Sequence, residues 1–216
     1  MKKKALFFAL FTVLGFASLQ VPFNKLAGSN VSFTLFDFFA PIAGAFLGPV
    51  FGVASVLSVE VFNNLFKQTP WNTGSIIRLF PTLFAVVYFA LISKKGSAKW
   101  ILTVPMIATA VFLAHPYGRQ APFFTLFWII PLIAYRFRSN LYMKSLGATL
   151  TAHSVGGAAW IWVFNLKPEV WNSLIPVVIS ERLLFAAGIA VAFIATKYTL
   201  SYLSTKKILP KLDLLS

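Results

Sequence analysis

No cysteine occurs in the chain, which excludes disulfides, thiolate metal sites and cysteine nucleophiles. Acidic residues are scarce: five Asp and Glu stand against 19 Lys and Arg, with two histidines, His115 and His153. Charged residues make up 11% of the sequence, against about a quarter in soluble domains. Signatures of several enzyme classes are missing too. Without GxxxxGK[ST] there is no ATP hydrolysis by that route, and neither HExxH, GxSxG nor a paired-acid metalloprotease motif is present. The histidines fall on different segments and no catalytic constellation can be assembled from spacing, so no catalytic residue, metal ligand or cofactor is assigned.

What fills the sequence instead is apolar. Of its 216 residues 58% are hydrophobic, 24 of them Phe, and the mean hydropathy is +0.80, the composition of an integral membrane protein. A net charge of +14 could point to nucleic acid, but that requires basic residues clustered on one solvated face. Here they sit in small groups between apolar runs, so the charge describes topology and no nucleic-acid partner is expected. The opening MKKKALFFALFTVLGFASL fits a cleaved secretory signal; because the uncharged run continues from Ala5 to Asn24, about the 20 residues needed to cross a bilayer, a retained span is preferred.

Charges and turn residues divide the chain into eight apolar segments, near 5–24, 36–47, 49–66, 72–92, 100–114, 122–135, 145–165 and 172–203. If the amino terminus is cytoplasmic, the inside connections carry Lys2, Lys3, Lys4, Lys94, Lys95, Lys99, Arg136, Arg138, Lys144, Lys206, Lys207 and Lys211. The outside ones carry only Lys25, Lys67, Arg119 and Lys167. This asymmetry follows the positive-inside rule and predicts an even number of crossings with both termini cytoplasmic, in the cell membrane. No linker or low-complexity tract interrupts the pattern, so residues 1–216 read as one domain. Gly48-Pro49 predicts a tight cytoplasmic hairpin between the second and third segments, leaving Asp37 at the outer end of the second.

Ionisable residues inside spans are costly and face a cavity or one another. Glu60, Arg78, Glu181 and Arg182 all map to the outer half, and Asn63 and Asn64 share the helical face of Glu60. Two readings stay open: the four charges pair to hold the bundle together, or they line a pocket open to the outside. His153, in TAHSVGG, is either a neutral histidine hydrogen-bonded to a neighbour or a pocket residue. Trp100 and Trp171 read as interfacial anchors, while Trp160 and Trp162 lie deeper, beside glycines, where one of them can stack on a ligand. Ala5 and Ala9 form a small-xxx-small pair that permits close helix approach; Gly44, Gly48 and Gly52 repeat that spacing across the hairpin.

The run LFDFFAPIAGAFLGPVFGVASVLSVEVFNNLF, Leu35 to Phe66, followed by TGSIIRLFPTLFAVVYFALISKK, Thr73 to Lys95, resembles the substrate-binding S components of energy-coupling factor transporters. Asp37, Leu47-Gly48-Pro49 with Gly52, Glu60 with Asn63 and Asn64, and Lys94-Lys95 stand where that family places an acidic residue, a hairpin, an acidic and asparagine-bearing helix end and a basic terminus. The stretch from Ser173 to Tyr198 is similar to the family's last helix, and Ala5-xxx-Ala9 to the alanine motif with which its first helix meets the coupling subunit. One departure stands out: the family has six helices, whereas Trp100 to Tyr135 reads as an additional hairpin.

The resemblance implies an all-α membrane bundle of six core helices, here with an extra hairpin at about 100–135. It implies capture of a vitamin or similar micronutrient from outside and delivery by toppling in the lipid, docked on a transmembrane coupling subunit driven by two ATPases. In that reading Asp37, Glu60, Asn63, Asn64, Arg78, His153, Glu181 and Arg182 bind the substrate, Trp160 packs on its planar part, and Ala5 and Ala9 dock the partner. A scaffold protein without a small ligand is the alternative, and an intramembrane enzyme using Glu60, Glu181 and the histidines a third.

Overall fold

The computed structural model describes residues 2–25, 32–93 and 99–210; Lys94, Lys95 and Lys211 of the charge pattern lie outside the described residues. Among the described residues the fold is all-α apart from one short ribbon. Helix α1 (Lys2–Leu19) leads into strands β1 (Pro22–Lys25) and β2 (Ser32–Thr34), which pair antiparallel. Then come α2 (Phe36–Phe66), α3 (Thr73–Ser93), α4 (Thr103–Ala114), α5 (Ile130–Arg136), α6 (Leu141–Phe164) and α7 (Pro168–Thr205). A 3₁₀ turn (Lys99–Leu102) precedes α4, and a 3₁₀ stretch (Pro122–Ile129) runs into α5. Three helices, Phe36–Phe66, Thr73–Ile92 and Pro168–Thr205, are long and apolar enough to cross a membrane.

The first of these reverses direction inside its own length. Gly48 has φ 83° and ψ 170°, a region open to glycine alone, and Pro49 follows. Eight residues of straight helix cover about 12 Å, yet a Cβ on Gly52 would lie 3.0 Å from the Gly44 Cα. The expected turn at Gly48-Pro49 is therefore present: α2 is two arms, Phe36 to Leu47 and Pro49 to Phe66, folded back on each other. Glycine is required at the crossing, because a Cβ on Gly44 would fall 2.2 Å from the Val86 carbonyl oxygen of α3.

Two differences from the expected segments have local causes. The first does not run to Asn24: α1 stops at Leu19, since Pro22 lacks an amide donor and disfavours helical geometry in the residue before it, and the chain turns into the ribbon. The region 100–135 is partly 3₁₀ rather than two regular helices. This hairpin packs on α6, where the Trp128 ring fills the space beside Gly157, 2.6 Å from where a Cβ would sit.

The interior divides into two main apolar clusters. One joins α1, α2 and α3 around Phe7, Phe11, Ile42, Phe46, Tyr88 and Phe89, with Phe11 against both Phe39 and Phe46. The other joins the hairpin to α6 and α7 through Phe112, Phe124, Trp128 and Trp171, four mutually packed aromatic rings. Outside, the bundle shows large apolar side chains to its surroundings, among them Val13, Phe62, Leu65, Phe80, Met106, Ile107, Phe123 and Val191. A surface of that kind suits lipid rather than water.

Candidate functional site

Between the clusters lies a cavity of about 680 Å³, within the range of small-molecule sites, about 300–1,000 Å³. Its walls follow from helical spacing. From the second arm of α2 come Glu60, Asn63 and Asn64, with Lys67 just past its end; from α3, Ser75, Arg78 and Thr82; from α6, His153, Gly156, Gly157 and Trp160; from α7, Trp171, Leu174, Val178, Glu181 and Arg182. Each set recurs every three to four residues, so each helix turns one face toward the same space. Phe33 and Thr34 of the ribbon, Asp37 at the head of α2, and Phe124 of the hairpin complete it. All nine residues singled out for substrate contact in the sequence line this one cavity.

Asp37 is fixed by the ribbon junction. Its Oδ2 accepts a hydrogen bond from the Thr34 amide at 2.8 Å. The Gly48 reversal brings Glu60 back to the same end of the molecule, where both carboxyl groups and Thr82 line the cavity. The Glu60 Oε2 is buried without a partner in the protein. Arg78 and Lys67 are exposed, and among the described residues neither Glu60 nor Arg78 forms an ion pair.

The opposite wall is tied together. Arg182 pairs with Glu181 at 3.4 Å and donates to the Thr149 hydroxyl at 3.1 Å. Its guanidinium lies over the Phe185 ring at 4.3 Å and over Phe33 of the ribbon at 5.4 Å. Both charged residues are buried, at 8% and 6% exposure, and the Arg182 Nε still lacks an acceptor. Arg182 and Asp37 also border a second cavity of about 30 Å³, which shares Thr82 and Ala152 with the first.

His153 satisfies both of its sequence readings. The Trp128 indole donates to His153 Nδ1 at 3.0 Å, so the ring proton sits on Nε2, and His153 lines the cavity. Trp160 borders the same space, set edge-on by Phe164, and its Nε1 has no partner. Trp162 is elsewhere, exposed and donating to the Val111 carbonyl oxygen. Trp171 is not an interfacial anchor: it is 2% exposed, packed between Phe112 and Phe124, because the hairpin that covers it is invisible to a reading of α7 alone. Trp100 is exposed. His115, at the turn after α4, accepts from the Tyr117 amide and packs on Trp162, away from the cavity. Ala5 and Ala9 are exposed on α1 in line with Val13 and Ala17.

Sequence reasoning missed Ser75 and Thr82, which lie three residues before and four after Arg78 and share its face; that spacing was the available signal. Phe33, Phe124 and Thr149 carried none.

No protein-family model matches the chain. It is 24% identical over 201 residues to an uncharacterized protein of Methanocaldococcus jannaschii, an alignment spanning 84% of this chain and 67% of that one. No solved structure matches it.

Proposed function

We propose that the chain is the substrate-capture subunit of a membrane importer of the energy-coupling factor kind, taking a micronutrient from the extracytoplasmic side. The observation that carries this is the cavity itself: polar and charged side chains from four helices converge on a space of ligand size, and three residues that border it, Glu60, Trp160 and Arg182, each carry a buried polar atom without a partner in the protein. Buried polar groups are normally satisfied, and all three of these residues border the cavity.

The topology supports the direction. Lys3 and Lys4, Lys99, Arg136 and Arg138, Lys144, Lys206 and Lys207 all lie at the helix ends opposite the cavity. With that end cytoplasmic, the cavity opens outward. The two arms of α2, together with α1, α3, α6 and α7, make the six core helices of the proposed plan, and the hairpin around α4 and α5 is an addition to it. The Ala5 and Ala9 stripe, free of side-chain bulk, is where a coupling subunit and its two ATPases would dock. A scaffold reading draws support from the Glu181–Arg182 pair, which holds α7 to α6 through Thr149.

Native mass spectrometry of protein purified in mild detergent tests the proposal. A retained small molecule, lost in Glu60→Ala and Arg78→Ala, supports capture. No ligand, together with marked destabilisation of the apo protein by both substitutions, would leave the scaffold.

A further inference from the structure

We propose that the basic end of the bundle, opposite the cavity, holds the headgroup of an anionic phospholipid, on an edge shared by the turn before α4, the turn from α5 to α6 and the end of α7; the proposal does not rest on the capture reading. Charge is the first argument. Among the described residues the acids are Asp37, Glu60, Glu169 and Glu181; three of them border the cavity and Glu169 stands in the first turn of α7, at that same end. No described carboxylate lies at the other end, where Lys99, Arg136, Arg138, Lys206 and Lys207 are placed. Cations that stand without acids at the depth of a membrane surface find their counter-ions in lipid phosphates.

The second argument is that these charges are held in place. Leu102, Tyr135 and Leu209 pack on one apolar cluster that contains Phe89 and Ile92, and they anchor the three segments that carry Lys99, Arg136 with Arg138, and Lys206 with Lys207. The Arg138 guanidinium lies over the Tyr135 ring at 4.6 Å and the Lys206 Nζ over Tyr202 at 5.8 Å, so an aromatic face orients each cation. Lys207 sits at φ 59°, a left-handed conformation that a side chain disfavours, and its turn returns the Ile208 and Leu209 amides to the Leu203 carbonyl oxygen. A frayed helix end would relax out of it. Shape is the third argument. Trp100, Phe137 and Ile208 are exposed beside the charges, and Ile133 and Ile129 continue from Phe137 along α5 at helical spacing. Cations at a rim, with apolar side chains running from it toward the membrane centre, fit a headgroup and its acyl chains, whereas a soluble phosphate needs the cations alone.

The test uses delipidated full-length protein in mild detergent, titrated with phosphatidylglycerol and with phosphatidylcholine of the same acyl chains and read by native mass spectrometry. Phosphatidylglycerol is expected to bind the more tightly, and each cation removed should weaken it about fivefold. Arg138→Gln removes one; Lys207→Gly removes another and places at φ 59° the residue that tolerates it, so the charge is lost without loading the fold. Lys4→Gln takes a cation from the same end but from over Phe51, beside the α2 turn, and should leave binding unchanged. Equal binding of the two lipids overturns the proposal. A loss with Lys4→Gln as large as with Lys207→Gly overturns it as well, because the charge then acts as a diffuse field and not as a site. Displacement of the lipid by an equal concentration of glycerol 3-phosphate assigns the cations to a soluble phosphate and also sinks the lipid.

Discussion

Two acid–base couples border the same cavity, and the molecule treats them differently. On α7, Glu181 and Arg182 are adjacent in sequence, paired at 3.4 Å, tied to Thr149 and covered by Phe185. On the facing wall, Glu60 and Arg78 come from different helices, make no ion pair among the described residues, and leave Glu60 Oε2 without a partner. If bundle cohesion were the purpose of all these charges, both couples would be closed, since an open buried charge costs more than a paired one. The contrast teaches that one couple is closed into the wall of the bundle while the other is left unpaired beside the same cavity.

The largest effect is expected on the closed side. Arg182→Ala strands the buried Glu181 carboxylate, a loss of about 3–5 kcal/mol. At about 2–4 °C per kcal/mol for a chain of this size, the melting temperature in detergent should fall by about 6–20 °C. Replacing both partners, Glu181→Gln with Arg182→Met, should recover most of that. A single variant as stable as the parent would break the comparison, because the closed couple would then carry no structural load.

Next in size is the reversal that brings the two walls together. Gly48→Ala places a Cβ at φ 83° and ψ 170°, a strain of about 1–3 kcal/mol, and shifts the arm that carries Glu60 relative to Asp37. Thermal unfolding should show the loss, and native mass spectrometry a lower occupancy of any bound ligand. Unchanged stability would mean that the turn relaxes without the glycine.

How much of this was legible depended on whether the signal was local. Gly48-Pro49 announced the reversal because both residues restrict the backbone by themselves. The nine cavity residues were legible as a set because polar side chains within apolar helices have few places to go. The ribbon was not, because Pro22 and Phe23 continue an apolar run whose helix ends only when the proline is weighed against it. Nor was the pairing: nothing in the sequence says that Arg182 closes on its neighbour Glu181 while Glu60 and Arg78 stay apart, since that depends on where α7 meets α6. Trp171 was misread for the same reason, its cover being Phe112 and Phe124 from a distant hairpin.

A smaller effect is expected where the hairpin supports the closed wall. Trp128→Phe trims the fully buried indole to a single ring and removes the hydrogen bond to His153 Nδ1, the bond alone being worth about 0.5–1.5 kcal/mol. The freed imidazole should then show exchange broadening in its NMR signals, absent from the parent. A sharp, unshifted His153 resonance would mean that Trp128 does not orient it.

The smallest stability effect, and the sharpest test, belongs to the open couple. Glu60→Gln is nearly isosteric and breaks no ion pair, so unfolding should move by no more than about 0.5 kcal/mol, the range of substitutions that disturb no packing or network. Ligand retention should nevertheless weaken by about tenfold, because the amide nitrogen that replaces one carboxyl oxygen can only donate. The expected pattern thus differs from that of Arg182→Ala in keeping the fold while binding is lost, read from melting temperature and ligand titration on the same preparation. If Glu60→Gln instead destabilises the apo protein as severely as Arg182→Ala, the two couples do the same work, the open oxygen of Glu60 is not reserved for a ligand, and the charges around the cavity form a structural network.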